Sequence, residues 1–563
     1  MRPEHIIKRL NDLKTLRQPH EETWKEAYKY ASPENIQTFN SGGSYPHSGV
    51  EELRKQARKE LYETTLVDST QILVASIING TTSPNTKWFT LAPVGLNIPT
   101  ELTEGDKWLE QVSNLIFKNI HAHGFDSIVS EYVLNLVVAG WAVLYISSKE
   151  EGGFMFENWN IGSCYISSTL SDGSIDTVFR EYQLSVEQAV NEFGLDKVSD
   201  KTKNAYNKGD RDTKITVVHA ILPRPKEQVS GEEGKRINTK MPYASYQVEI
   251  DTKHILNESG YEEFPLVVAR FKRILDSHYG IGIATMAVPD AKTANQIVKL
   301  TLQSAELALQ GLWVAKHDGV VNPSTLRIRP RAIIMANSVD SIKRLDTGSQ
   351  SVNIGIEMLV NFTDKIKRTM MSDMLTPVGS SPLTATEIQA RTQNNRMALG
   401  AIYGRMQSEY LKGLLERCWG LVMRANVLPP APEELQAADR IVFDFINPLA
   451  NAQKLEGVIA TQNLLGDITA MMEVDPNIID NINLDAAVQL MADGYGTPKG
   501  IINTMDEVMQ IRQAKEDAQA AQQEQEMNVQ SQQQMSETMG GIARDTANKM
   551  QPDQVMDMME NGM

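Results

Sequence analysis

The span from Ala284 to Glu387 limits the fold more than any other part of the chain. It reads as helix, compact insert, helix and loop. The first helix carries PDAKTANQIVKLTLQSAELALQ. Pro289 suits a first helical position, where its missing N–H costs nothing. Ala294, Val298, Leu302, Ala305 and Leu309 recur three or four residues apart, so one apolar stripe runs down this helix. The second helix, VNIGIEMLVNFTDKIKRTMMSDML, places Leu359, Phe362, Ile366 and Met370 on one face. Each helix is about 22 to 24 residues, or roughly 33 to 36 Å. Between them, GLWVAKHDGVVNPSTLRIRPRAIIMANSVDSIKRLDTGSQ reads as short strands and turns, and TPVGSSPLT after them is a Pro/Gly/Ser loop. Two such helices with a small head make a rod. A rod with an apolar stripe needs neighbours.

The rest of the chain is α+β and mainly helical. Residues 3 to 30 read as helix, with Ile6, Leu10 and Leu13 on one face. The helical pattern returns from Glu51 to Asn79, where Gly80 fits the position just past a helix end. Helices follow from about Asp106 to His121 and over SIVSEYVLNLVVAG, then WAVLYISS is a strand. To about residue 270 strands dominate. Asp172-Gly173 is a hairpin signal between alternating segments. Ser185 caps the short helix VEQAVNEFG, and KITVVHAILPRP pairs with YASYQVEIDTKHIL around a polar loop. FPLVVARFKRI is a further strand. Thr384 and Glu387 have capping-box spacing and open a long helix, about 385 to 427. Gly400, Gly404, Gly413 and Gly420 lie inside it, which predicts close packing or a bend. Pro429 and Pro430 stop it. Helices continue to about Ala514. The tail beyond is rich in Gln and Met, and is either disordered or a helix that needs partners.

Motifs that carry chemistry are scarce. There is no GxxxxGK[ST], G-x-S-x-G or HExxH; Gly280-Ile281-Gly282 and Lys499-Gly500 lack phosphate-cradling spacing. His121 and His123 read as a surface pair, since two metal ligands on a helix need i, i+4 spacing. Glu232-Glu233 and Glu262-Glu263 read as solvated turns. Cys164 and Cys418 have no CxxC spacing and read as free buried thiols of a reducing compartment. No run of 18 apolar residues exists, and MRPEHIIKRL lacks a signal-peptide core, so a cytosolic chain without membrane spans is expected. No enzyme, cofactor or metal is expected.

Charge is uneven. The chain carries a formal −16, which argues against a generic cationic nucleic-acid coat. Yet 284 to 375 holds eleven Lys/Arg against eight Asp/Glu. Within 311–345, Lys316, Arg327, Arg329, Arg331, Lys343 and Arg344 face only Asp318 and Asp340. A basic head on an acidic body suits an acidic partner or phosphates. The alternative is a solvated turn face with incidental arginines. Arg327, Arg329 and Arg331 alternate and would share one face of a strand.

Several segments, in order, resemble one family. LVASIINGTTSPNTKWFTL, IDTVFREYQLSVEQAVNEFG, ESGYEEFPLVVARFKRILDSHYGIGIA, TATEIQAR and NPLANAQK are similar to segments of the portal, or head-to-tail connector, of short-tailed bacteriophages. Phe271 stands where that family's Trp is expected, and Tyr279-Gly280-Ile281 where Tyr-Gly-Arg is expected. The resemblance implies a ring, typically of twelve copies, around a channel for double-stranded DNA. It implies an N-terminal wing over 1–283, stem helices over 284–310 and 351–374, and a clip over 311–350. It further implies a tunnel loop over 375–384, a long wing helix over 385–427, a crown over 428–513, and a tail or helical barrel over 514–563. The six basic residues of the insert would form the clip's docking surface. Thr376, Pro377, Val378, Gly379, Ser380, Ser381 and Pro382 would form the tunnel loop, and Lys365, Lys367 and Arg368 would ring the channel. The implied partners are a packaging terminase, tail adaptor proteins, and capsid and scaffold proteins, in a virion assembled in the host cytoplasm. The rival readings are a cytosolic oligomeric scaffold that binds no DNA, and a nucleic-acid-processing enzyme with a helical clamp. The latter needs clustered acidic metal ligands or a phosphate loop, and the sequence offers neither.

Overall fold

The computed structural model describes residues 2–36, 39, 50–94, 104–149, 152–231, 236–310, 312–315, 342–345, 350–375, 400, 402–425, 427–432, 435, 440–445, 448–471, 481–495, 497, 501–503 and 505–549. Over these residues it is a mixed α/β fold, predominantly helical, with no barrel among them. The chain divides into two units, one of residues 1–91, 111–430 and 442–464, the other of 92–110, 431–441 and 465–563.

In the first unit, α1 (Pro3–Ala31) starts with proline at its first position. Its buried Ile6, Leu10 and Leu13 pack on Tyr165, Phe179, Val218 and Tyr246 of a five-stranded sheet. On the same helix the fully buried Arg17 pairs with Glu21 at 2.8 Å and donates to the carbonyls of Gly162 and Cys164. That answers the cost of burying a charge. The single helix expected from Glu51 to Asn79 is two, α2 (Val50–Glu60) and α3 (Thr65–Thr81), with a break at 61–64. Gly80 does not follow a helix end but lies inside α3. A Cβ there would overlap the Tyr403 ring, so glycine serves close approach.

Strand β1 (Phe89–Val94) and helices α4 (Glu104–Ala122) and α5 (Phe125–Val138) follow. Then come β2 (Trp141–Ser148) and β3 (Phe154–Trp159). Strands β4 (Cys164–Ser167), β5 (Thr177–Ser185), β6 (Lys214–Pro223), β7 (Tyr243–Glu249) and β8 (His254–Tyr261) form an antiparallel sheet in sequence order. Asp172-Gly173 lies in the β4–β5 turn, with Gly173 at φ 73°. Helix α6 (Val186–Phe193) has the full capping box, Ser185 with Gln188. Helix α7 (Asp200–Lys208), capped by Ser199, was not anticipated within the strand region. FPLVVARFKRI supplies β9 (Leu266–Arg270), which leaves the large sheet and pairs with β2, Trp141 opposite Arg270. The two residues Lys272–Arg273 (β10) pair with Gly280–Ile281 (β11) and lead into the next helix.

That helix, α8 (Ile283–Gln310), begins earlier than Pro289 suggests, so Pro289 lies inside it rather than at its start. Tertiary contacts win over the local signal, because Thr285 Oγ1 donates to the Val138 carbonyl at 2.8 Å and holds the extra turn. Strands β12 (Leu312–Ala315) and β13 (Ile342–Leu345) pair antiparallel, and α9 (Gln350–Thr369) and α10 (Ser372–Leu375) follow. Of the long helix expected from 385, the first part falls outside the described residues. Further on, residues 402–405 are helical, Met406–Leu411 is a π-helical turn, and Lys412–Ala425 is α-helix. Where the glycines predict close packing or a bend, the helix widens into this π turn, between Gly404 and Gly413. Close packing holds at Gly420, where a Cβ would meet the Glu263 carboxylate, but not at Gly404, which has open space beside it.

In the second unit Asn483 caps the helix Leu484–Tyr495 by accepting from the Ala486 N–H at 3.1 Å. A single helix, Met505–Lys549, runs across the expected 513/514 division, exposed along most of its described length. Arg512 pairs with Asp485 at 2.7 Å, and Lys107 pairs with Glu507 at 3.3 Å.

Candidate functional site

The α8–α9 hairpin carries most of the candidate residues. Its two helices pack side by side, and the Gly355 backbone approaches the Thr301 hydroxyl so closely that a Cβ would sit 2.6 Å from it. The strand pair at its tip sets Trp313 opposite Arg344 and Val314 opposite Lys343. Of the predicted basic docking residues only Lys343 and Arg344 fall on described backbone. Lys316, Arg327, Arg329 and Arg331 lie outside the described residues, as does the loop Thr376–Pro382.

The root of the hairpin is fixed by backbone meeting backbone. A Cβ on Gly282 would lie 2.4 Å from the carbonyl oxygens of Val137 and Val138, and one on Gly280 would lie 2.2 Å from the Gly140 oxygen. Tyr279 is buried beside Trp24 and Trp141, with ring centroids 5.2 and 5.0 Å away. The glycines read as a failed phosphate loop are therefore a packing junction.

Asn295 ties the break between α2 and α3 to α8. Its side-chain oxygen accepts from the backbone N–H of Tyr62 at 2.6 Å and of Glu63 at 3.1 Å, and its nitrogen donates to the Glu60 carbonyl at 2.9 Å. The signal was available, since Asn295 is a polar residue next to Ala294 on the apolar stripe. Replacing Asn295 with leucine leaves three part-buried backbone groups without this partner, at up to about 1–3 kcal/mol each where water cannot reach. The expected result is a lower Tm and faster amide exchange at Tyr62 and Glu63. Unchanged exchange there would refute the tie.

Along the hairpin the stripe changes character. Ala284, Ala287, Ala291 and Ala294 are buried along a helix that meets α1, α3, α5 and α9, whereas Leu302 is exposed. On α9 Ile366 and Met370 are fully buried, while Ile354, Ile356, Met358 and Val360 are exposed. Lys365 pairs with Asp290 of α8 at 2.6 Å, and Lys367 and Arg368 are exposed.

A second fastening binds the helix Lys412–Ala425 to the sheets. Arg417 donates to Glu263 at 2.9 Å and to the Ile146 carbonyl at 3.2 Å, and Arg424 reaches the same carboxylate at 2.8 Å. Arg236 pairs with a buried Glu262 at 2.7 Å. These glutamates are thus not solvated turn residues. Their arginine partners are far away in sequence, which is why composition alone misled. Burial pushes the Glu263 carboxyl up, but the hydrogen bonds and charges of Arg424 and Arg417 outweigh it and hold it below its ordinary 4.5. A depressed folded value means the contribution is complete above 4.5 and lost as pH falls through the folded value. The Tm of the parent chain should therefore fall more steeply below pH 4.5 than that of Glu263→Gln. Parallel Tm curves would refute this.

Among the described residues no group of three His, Cys, Asp or Glu could hold a metal ion. His121 is not a surface accident: its Nδ1 lies 2.7 Å from Asp126 and its ring packs on Phe117 and Phe125. His219, pushed down to about 3 by burial and by the Arg180 charge, stays neutral against Ser245 at 2.8 Å. Cys164 and Cys418 are free and buried, and burial raises both thiols, Cys164 to about 11.

The chain resembles known proteins over most of its length. The profile of the family "Bacteriophage head to tail connecting protein" matches residues 3–502. The chain is similar to the "Probable portal protein" of Bordetella phage BPP-1, 26% identical over 538 residues that cover 92% of each chain. It is also similar to the "Portal protein" of Salmonella phage epsilon15, 24% identical over 551 residues, again 92% of each.

Proposed function

The chain belongs to the family of bacteriophage head-to-tail connecting proteins, and from that membership we propose that it is a portal subunit, one of a ring of about twelve at a capsid vertex. In this reading double-stranded DNA passes through the hole during packaging and ejection. The α8–α9 hairpin is the stem, and the basic insert is the clip on which a packaging terminase and then tail adaptor proteins dock. The Thr376–Pro382 segment is the tunnel loop, and capsid and scaffold proteins surround the wing during assembly in the host cytoplasm. The family is structural rather than enzymatic. Among the described residues no helix is long and apolar enough to cross a membrane.

The observation that carries the reading is a hairpin rooted rigidly in the body whose outer length leaves large apolar side chains uncovered. Isolated surface apolars are ordinary, but a row of them along one rod marks an interface. The test is negative-stain electron microscopy with a mass measurement. Rings with a central hole and a mass of about 750 kDa, roughly twelve times the 62.8 kDa chain, are expected. A uniform compact dimer would instead favour the DNA-free scaffold.

A further inference from the structure

The exposed surface of α9 is not uniform. A helix turns about 100° per residue, so spacings of three and four keep one face. Glu357, Asn361, Asp364 and Arg368 are spaced by four, three and four, and all are exposed. They lie on the side opposite the fully buried Ile366 and Met370. This polar stripe is bordered on both sides by apolar pairs. Ile354 and Met358, 59% and 45% exposed, lie on one flank; Ile356 and Val360, 50% and 53% exposed, lie on the other.

One partner covering both flanks would also bury the charges between them, at a high desolvation cost. Two separate contacts leave the stripe in water. The flanks are different surfaces, so identical copies meet head to tail, which closes a ring when the rotation closes. The body lies on the packed side of the hairpin, where α1, α3 and α5 meet the α8 root and α3 also meets α9. A stripe opposite the buried Ile366 and Met370 is therefore turned toward a hole.

Resting on the ring reading above, we infer that Glu357, Asn361, Asp364 and Arg368 line the channel and that the two apolar flanks of α9 seat on the copies to either side. The occupant of each flank is a second copy of this chain. Lys365, paired with Asp290, and Lys367 then belong to the flanks, and only Arg368 of the three expected basic residues faces the lumen. Each copy offers two carboxylates and one guanidinium over about 16 Å of helix. Such a wall repels phosphates weakly and holds none tightly, which suits a moving polyanion.

The test uses the full chain, whose two native cysteines are buried. A Met358→Cys/Val360→Cys variant carries one thiol on each flank, and an Ile354→Cys/Met358→Cys variant carries two on the same flank. Mild oxidation of assembled rings should give a ladder reaching the full ring from the first and no cross-links from the second. Dimers from the same-flank variant, or no cross-links from opposite-flank rings, would overturn the head-to-tail contact. Asn361→Cys rings labelled with a small gold cluster should show it in the hole; gold on the outer rim would overturn the lining. A parent chain that forms no rings in the same microscopy sinks the portal reading itself, a result distinct from either.

Discussion

Replacing Gly140 with alanine is expected to remove folded, soluble chain altogether, or to lower its Tm more than any other single methyl addition in the body. Two costs add. Gly140 adopts φ 89°, a left-handed backbone that an L side chain enters at about 1–2 kcal/mol. Its Cβ would also lie 2.2 Å from the Ile281 carbonyl carbon and 2.3 Å from the Gly282 nitrogen. Those are backbone atoms at the α8 root and cannot swing aside. Overpacking of this kind costs about 1–3 kcal/mol even when side chains give way, and more when they cannot. The sum is a large share of a folded domain's typical margin of about 5–15 kcal/mol. The displaced backbone also sets the direction of the hairpin, since the Gly140 oxygen accepts from the Phe271 N–H at 2.9 Å. Any variant that survives should fail to form rings. Gly413→Ala is the control. The nearest atoms to its Cβ are Val267 methyls at 3.6 and 3.7 Å, and alanine is favoured over glycine in a helix by about 1 kcal/mol. It should match or exceed the parent Tm. Gly140→Ala with a parent-like Tm would refute the junction.

The sequence made some of this legible and hid the rest for physical reasons. Periodicity and capping are local, so α1, the Ser185–Gln188 capping box and the β6–β7 pairing could all be read from neighbouring residues. The hairpin was also visible, because its stripe is long. Errors arose where a distant partner decides. Pro289 looked like a helix start until Thr285 found Val138. The break between α2 and α3 is held by Asn295, more than two hundred residues on. Glu263 looked solvated because Arg417 and Arg424 are invisible from its own neighbourhood. Which side of α9 is polar could be drawn from spacing alone, but which side is buried needed the packing of Ile366 and Met370.

Glu409→Ala is expected to be the most costly change of a charged side chain in the first unit. Arg270 is 3% exposed, and its guanidinium meets both Glu409 oxygens, Nη2 to Oε1 at 2.8 Å and Nε to Oε2 at 3.1 Å. Its own backbone N–H donates to the same Oε2 at 2.9 Å. Strand β9 lies at the edge of its sheet, so that N–H has no strand to bond and the carboxylate replaces one. The π-helical turn Met406–Leu411 carries Glu409 to this position. Removing the carboxylate takes the counter-charge from a buried guanidinium, which keeps the Gly173 carbonyl at 3.1 Å, and strands an edge N–H. Breaking a buried pair from one side costs about 3–5 kcal/mol, because the remaining charge keeps its desolvation penalty. Arg270→Met/Glu409→Leu removes both charges and should recover much of that loss, since the apolar replacements carry no such penalty. Burial also screens the pair poorly, so the gap between parent and Glu409→Ala should hardly change with added salt. Arg424→Ala should cost far less, because Glu263 keeps Arg417. The measurements are urea midpoints of the parent, both singles and the double, with amide exchange read at Leu266–Arg270. Additive single losses in the double variant would show that the two side chains act separately, and the π turn would then need another explanation.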